Sequence, residues 1–492
     1  MKLSQATKHY ITLMNKYKGF IDTWDAIYKL DTEEIDSTTV LYEEIKNNLI
    51  DTGYFTAKEM IDMIGKICNE SLHYRRGYIE LMKRIIEGYQ CTDIYNISFL
   101  SQYDDIKINT PEYAIMNDNE DELLYHLKSK RLDLTKILEK CCLRGAVNCF
   151  KLLQKEFDVK ITKRCLDASF KGNNQHIINE CLKENEPDIY TTEAAIVSHN
   201  FANLYILLNE YGTKIQMIDC GIYKNLHAFI YLLDLYEIIS NAFVISPYFH
   251  IPSLCEYMIQ NGADINYTDE DGINGLFSAV VENQTDIVSN LILNRVNINA
   301  LDSEAFESLI QKNNILMLEF LLSHGANVNT RNREQGHSIL HVACVENNIE
   351  AVNILISHGA NINDNRNIVQ QTPLIFACSL NHKEIAELLI SRGANVTMQD
   401  YEGHSVLHIA IASNIEQRDG TFEANLEINR NTKDLIELLL SNGANVNARD
   451  EDGYTPLHMA VMRSRDALNT PFDRAYIFFV RPKISPFAKF KN

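Results

Sequence analysis

Residues 439–460 read LLSNGANVNARDEDGYTPLHMA, and this stretch decides the fold because both of its halves return along the C-terminal part of the chain. The first half returns, more or less intact, as Met258–Asn266, Leu321–Asn329, Leu355–Asn363 and Leu389–Thr397, with a weaker copy from Leu291. Its glycines at 325, 359 and 393 are 34 residues apart. A fixed period of this length indicates stacked units that each contain a few short elements.

The second half of the stretch predicts how each unit is built. Thr455 can cap a helix by accepting a backbone N–H bond, and Pro456 suits the first helical turn because its missing donor would be unpaired there anyway. Gly443 stands where a helix must end in a left-handed conformation. Related second halves occur at Gly336–Ala343, Thr372–Ala377 and Gly403–Ala410.

Together, the two halves resemble the LLxxGAxxN and TPLHxA motifs of the ankyrin family. The resemblance implies an all-α ankyrin-repeat solenoid, with two antiparallel helices per unit and a projecting β-hairpin loop between units. It also implies that the recurring histidines, His341, His408 and His458, link a capping hydroxyl to the next unit. The hydroxyls in question belong to Ser338, Ser405 and Thr455.

Four regions are predicted along the chain. Residues 1–98 form an N-terminal helical domain, in which Thr56–Glu59 is a capping box. Residues 99–240 form divergent helical pairs, because apolar clusters recur there at intervals too short for full ankyrin units. In cadence and order this region resembles the domain of unknown function that precedes ankyrin repeats in a large family of trichomonad and similar protist proteins. Ankyrin repeats occupy residues 241–466, and residues 467–492 are a basic, aromatic tail.

The repeat array is irregular in three places. The unit at about 300–326 has lost its second motif, the unit from Gly403 carries an insertion at Asn414–Asn431, and the last unit has only its first helix. The tail after this unit is open to three interpretations: a cap on the end of the stack, a docking peptide, or the remnant of a longer array.

The composition excludes several classes of function. A formal charge of −20 repels nucleic acid and anionic membrane surfaces. The first twenty residues do not resemble a signal peptide and no apolar run reaches 18 residues, so we expect a cytoplasmic protein, or alternatively a nuclear one, without a membrane span. Its eleven cysteines are expected to be reduced.

No sequence signature points to catalysis, a cofactor or a small-molecule substrate, and we predict that the protein is not an enzyme. The DEDG segments at Asp269 and Asp450 lack the later glutamate of a calcium loop and are interpreted as turns. The dense thiol region is interpreted as buried core in preference to a zinc site. It comprises Cys141, Cys142, Cys149, Cys165 and Cys181, with His176 nearby.

The predicted function is that of a scaffold that binds a partner protein through the concave face of the ankyrin array. The alternative is an adaptor or targeting subunit of an enzyme complex such as a ubiquitin ligase, recruited through the N-terminal helices. Tyr and Arg are enriched among the residues that dominate interface energies, and they occur at or next to the predicted hairpin tips. The candidate partner-binding residues are Tyr267, Arg331, Arg333, Arg366, Tyr401 and Arg449, with Phe422 in the insertion.

Overall fold

The structure, a computed structural model, describes residues 8–30, 35–70, 75–91, 109–129, 131–236, 238–413 and 430–466. The chain divides into two compact units, Met1–Ser278 and Ala279–Asn492. Most of the predicted insertion, including Phe422, and the tail 467–492 lie outside the described residues.

The first unit begins with five amphipathic helices. They are α1 (Lys8–Lys16), α2 (Lys18–Tyr28), α3 (Ile35–Ile45), which continues as a π-helical turn at Lys46–Ile50, α4 (Ala57–Glu70) and α5 (Arg75–Gly88). The predicted capping box is confirmed, since Thr56 N–H donates to Glu59 at 2.7 Å and Glu59 N–H donates to the Thr56 hydroxyl at 3.2 Å. Tyr78 is fully buried, and its hydroxyl ties α5 to the Ile27 carbonyl of α2.

Short helix pairs follow, as the apolar clusters predicted. The pairs are α6 (Pro111–Met116) with α7 (Glu120–Ser129), α8 (Leu134–Arg144) with α9 (Val147–Phe157), α10 (Lys163–Gly172) with α11 (Gln175–Glu184), α12 (Ile189–Val197) with α13 (Phe201–Asn209), and α14 (Met217–Ile222) with α15 (Leu226–Tyr236). Side chains cap the first helix of four pairs, at Thr110, Asp133, Thr162 and Asp188. A polar side chain at the start of a helix accepts a backbone N–H that would otherwise be unpaired. Even these short helices can therefore begin at a defined residue while their apolar faces pack.

The ankyrin-like units continue this arrangement with longer loops between pairs. Their helices are α16 (Ile239–Ile245) with a 3₁₀ turn at Ser246–Phe249, α17 (Pro252–Gln260), α18 (Gly275–Val281), α19 (Thr285–Leu293), α20 (Ser303–Gln311), α21 (Ile315–Ser323), α22 (Ile339–Val345), α23 (Ile349–Ser357), α24 (Pro373–Ser379), α25 (Lys383–Ser391), α26 (Val406–Ala412), α27 (Arg430–Ser441) and α28 (Pro456–Asp466). Gly443 follows its helix at φ +87°, and Arg295 takes the same left-handed turn in the weak copy at φ +62°. The predicted all-α repeat fold is therefore confirmed.

Apolar side chains of the repeat motifs fill the space between helices of the second unit. Leu355, Leu389 and Leu439 are 0% exposed, and each contributes roughly 1.5–3 kcal/mol. Ala343 and Ala377 are also fully buried, where their small size lets neighbouring helices approach. The unit at 300–326 keeps its helix pair without the second motif, because Asp302 caps α20 in place of a threonine.

The side chains considered for metal binding are either buried in the core or bonded within their own turns. All eleven cysteines are free thiols, and the five of the dense region are fully buried. In the part of the chain that the structure describes, no three His, Cys, Asp or Glu side chains are grouped to hold a metal ion. Asp269 and Asp450 instead accept hydrogen bonds from backbone N–H groups of their own turns. Of the described helices, none has the length and apolar character needed to cross a membrane.

Candidate protein-interaction surface

The hairpin loops of the second unit share one local design. Four of them, 327–338, 361–372, 395–405 and 445–455, are here called the hairpin row. Each begins with an asparagine whose side-chain oxygen accepts the N–H two residues later, at 2.9–3.2 Å. Antiparallel bridges close two of the loops, pairing Arg331 with Ser338 and Gln399 with Ser405. Such turns fix the backbone of a loop without needing a packed side chain.

Consecutive loops of the row are also bonded to one another. Side chains link them near their base, where Asn361 N–H donates to Asn329 at 2.9 Å and Asn395 N–H donates to Asn363 at 2.7 Å. Backbone bonds link them further out. These run from Ile368 N–H to Gln335, from Tyr401 N–H to Val369 and from Glu451 N–H to Glu402, at 2.9–3.1 Å. The row is thus held as a continuous surface, which lowers the entropy lost when a partner binds.

The histidines of the second motif hold the row to the helices, as the resemblance implied. His341 Nδ1 lies 2.8 Å from the Ser338 hydroxyl, and its Nε2 lies 2.9 Å from the Gln371 carbonyl of the next unit. His408 repeats this with Ser405 and the Tyr454 carbonyl. Burial lowers the pKa of His341 to about 4, so the ring is neutral at physiological pH and unsuited to acid–base chemistry there. His458 bonds to Thr455 in the same way, at an exposed position.

One candidate arginine is largely committed to the fold. The Arg331 guanidinium pairs with the carboxylate of Asp364, a side chain that is 1% exposed, and donates to the Gly336 carbonyl at 2.9 Å. Arg366 also contacts Asp364, at 3.2 Å, but keeps 63% of its side chain exposed. Burial acts to raise the pKa of Asp364, and the hydrogen bonds from Arg331 and Arg366 outweigh it, so the pKa is lowered.

The other candidate residues differ in how far they are exposed and in whether they are bonded to the fold. Arg333 and Arg449 are exposed, and Arg449 donates to the Gly453 carbonyl at 3.0 Å. Tyr401 is 38% exposed, with its hydroxyl 2.6 Å from Glu402. Tyr267 lies in the first unit and is half-buried. The role of all these residues in binding stays a prediction.

Ile368 and Tyr454 are exposed side chains of the row that were not among the predicted residues. Ile368 is 72% exposed and Tyr454 is 42% exposed, so that together with Tyr401 they place a large apolar or aromatic group on three consecutive loops. The available signal was an isoleucine within a loop that is otherwise mainly polar. A mainly polar groove of about 400 Å³ lies between the loops 395–405 and 445–455. It is lined by Val396, Thr397, Gln399, Ser405, Asn445, Asn447, Ala448 and Arg449.

Comparison with known families agrees with this construction. Residues 157–232 match a domain of unknown function, DUF3447. Residues 244–332, 301–366 and 340–419 match the model for three copies of the ankyrin repeat, and residues 428–472 match a second ankyrin-repeat model. No curated protein matches the chain. Ankyrin repeats support a general role in protein–protein interaction, and their architecture is typically not that of an enzyme. The chain is therefore an ankyrin-repeat protein in which a domain of unknown function precedes the repeats.

Proposed function

We propose that the protein is a non-enzymatic scaffold that binds a partner protein through the hairpin row, on the concave side of the ankyrin array. The observation that carries this proposal is the bonding between consecutive loops, which presents Ile368, Tyr401 and Tyr454 from a preorganised backbone. Large side chains held in this way are the usual anchors of protein interfaces. The partner is a protein, and we expect neither nucleic acid nor a small-molecule substrate.

The charges around these three side chains favour a partner surface of mixed sign. The row carries exposed arginines, Arg333, Arg366 and Arg449, and exposed acids, Glu334, Glu451 and Asp452. Charges at the rim of an interface select the partner and its orientation more than they add affinity. The groove beside Arg449 adds amide groups that can bond to the backbone of an extended segment.

The proposal is tested by proximity labelling in the native cell with the full chain and a triple variant. Ile368→Asp, Tyr401→Ala and Tyr454→Ala together remove the exposed anchors, and we expect loss of a defined set of labelled proteins. The matched control is Leu293→Ser with Leu316→Ser, since these side chains are 82% and 85% exposed but lie on helices α19 and α21. Identical labelling by the wild type and the triple variant would refute binding through the row.

The adaptor alternative predicts a different outcome of the same experiment. A protein recruited through residues 1–98 would be lost on deletion of α1–α5 and retained in the triple variant. If the retained proteins are ubiquitin-ligase or kinase subunits, the adaptor role is supported and the scaffold proposal is incomplete.

A further inference from the structure

The cross-loop bonds at the base of the hairpin row are interrupted at one junction. At the first two junctions, the carboxamide oxygen of Asn329 or Asn363 accepts the N–H of the asparagine that opens the next loop, at 2.9 and 2.7 Å. The equivalent residue of the third loop is Thr397. Its hydroxyl donates within its own loop, to the Asn395 side chain at 2.8 Å. Among the described residues, the N–H of Asn445 in the fourth loop has no acceptor.

The groove between the third and fourth loops lies at this interrupted junction. Thr397 and Asn445 both line it, and its volume is about 400 Å³. The two loops remain joined further out, where Gln399 Nε2 donates to the Arg449 carbonyl at 3.0 Å. They are thus bonded towards their tips but not at their base, and the groove lies where the base bond is missing.

Two residues offer unused hydrogen-bonding groups to this groove. Asn445 has its backbone N–H, and Asn447 has a carboxamide that makes no hydrogen bond among the described residues. Both residues are exposed, so a ligand can reach them. A carboxamide has a donor and an acceptor, as a peptide group does. The two residues together therefore match the alternating carbonyl and N–H groups of an extended backbone.

The charges around the groove favour an uncharged ligand group over an anion. Of the described residues that line it, only Arg449 is charged, and its guanidinium already donates to the Gly453 carbonyl at 3.0 Å. Glu402 and Glu451 lie at the outer end of the same junction, where their backbones are bonded at 2.9 Å. Carboxylates there oppose a phosphate or another strong anion, whereas a peptide backbone meets no such repulsion.

We propose that this groove binds an extended peptide segment of a partner protein, with a backbone carbonyl of the segment accepting the Asn445 N–H. The proposal rests on the proposed scaffold function and gives the partner a defined form. A helix does not fit this role, because its backbone carbonyls are already bonded within the helix. Thr397 then determines specificity, since its side chain lacks the carboxamide that would occupy the N–H. The preorganised loops lower the entropy lost on binding.

Thr397→Asn is the decisive variant, because it should restore the cross-loop bond of the first two junctions and close the groove. Without any ligand, we expect the Asn445 amide of this variant to exchange with solvent about tenfold more slowly than in the wild type. The measurement is hydrogen exchange of the full chain, resolved to single residues. Thr397→Ala is the matched control at the same position. It removes the hydroxyl but supplies no carboxamide, so exchange should stay as in the wild type.

Binding is measured with a phage-displayed library of short random peptides, selected on the full wild-type chain. Selected peptides are synthesised, and their affinities for the wild type and the variants are compared by fluorescence polarisation. We expect peptides that bind the wild type and Thr397→Ala equally, and Thr397→Asn at least tenfold more weakly. In the wild type, a bound peptide should slow exchange of the Asn445 amide. Asn447→Ala should weaken the same peptides.

The proposal is overturned if the selected peptides bind Thr397→Asn as tightly as the wild type, or if no peptide that depends on the groove is recovered. It is also overturned if neither the restored asparagine nor a bound peptide slows exchange of the Asn445 amide. Circular dichroism verifies that the variants fold. Failure here is distinct from failure of the scaffold function, which is judged by the labelling of partner proteins in the triple variant at Ile368, Tyr401 and Tyr454.

Discussion

Glu307 on α20 is a buried carboxyl whose substitution should stabilise the protein in a pH-dependent way. It lies six residues before Asn313, which takes the left-handed conformation in the turn after α20. His341 lies six residues before Asn347, the equivalent residue after α22. The side chain is 4% exposed, and its Oε1 atom has no hydrogen-bond partner among the described residues. A carboxylate in the place of a bridging histidine leaves a charge in the core.

The pKa of Glu307 gives the size of the effect. Burial is the main cause that raises it from 4.5 to about 7, and the charges of Glu304, Asp302 and Glu334 add to it, while a bond to Ser303 opposes it. Between pH 4.5 and pH 7 the folded state therefore binds more protons than the unfolded state, so stability falls as the pH rises through this window. The loss reaches about 3 kcal/mol above pH 7.

Glu307→Gln should therefore raise the free energy of local unfolding by up to about 3 kcal/mol at pH 8 and change it little at pH 5. Hydrogen exchange of α20 and α21 peptides is the appropriate assay, since stacked repeats open region by region. Glu319→Gln is the matched control, because Glu319 is an exposed carboxyl on the paired helix α21. If the stability of the Glu307→Gln variant falls with pH as the wild type's does, or if it is less stable at pH 8, the reasoning is refuted.

Two further predictions concern the hairpin row. His341→Phe should lower the free energy of local unfolding by about 1–3 kcal/mol, because it removes the bonds to the Ser338 cap of its own helix and to Gln371 of the next unit, whereas His458→Phe should cost less because that position is exposed. The comparison is made by hydrogen exchange, and equal losses would contradict the bridging role. Arg331→Met should cost about 3 kcal/mol in thermal or urea unfolding because it weakens the pairing of buried Asp364, while exposed Arg333→Met should cost almost nothing. If Arg331→Met leaves the stability unchanged, Arg366 alone is a sufficient partner for the Asp364 carboxylate.

The repeat fold could be predicted because each unit carries its own local signals. A capping threonine or serine, the proline after it and the glycine at the end of the second helix act within a few residues of where they occur. Even the weak copy followed the pattern, since Arg295 takes the left-handed turn of the missing glycine. Local signals of this kind need no knowledge of the rest of the chain.

Contacts between distant residues could not be predicted in the same way. Asp25 and His199 are 174 residues apart, and no period in the sequence relates them. The pairing of Arg331 with Asp364 was more accessible, because 33 residues separate them and this is nearly one repeat. The prediction treated every arginine at a hairpin tip as exposed. It did not consider that a buried acid in the loop of the next unit would need a partner.

The turn between the two helices of each pair has one left-handed residue, and its identity shows how a departure from the repeat's own preference can be interpreted. A left-handed conformation costs most residues about 1–2 kcal/mol, and asparagine and aspartate tolerate it best, so the fold alone explains the residues at 118, 173, 283, 313, 347 and 381. It does not explain His199, Lys224 and His250, and at these three positions the aromatic rings of Tyr28 and Phe55 supply another cause. Glu307 departs from its repeat position too, and its Oε1 atom has no hydrogen-bond partner among the described residues. The first departure gains an interaction and the second costs stability. Raising the pH should therefore loosen α20, because the Glu307 carboxyl gains a charge that its buried site opposes.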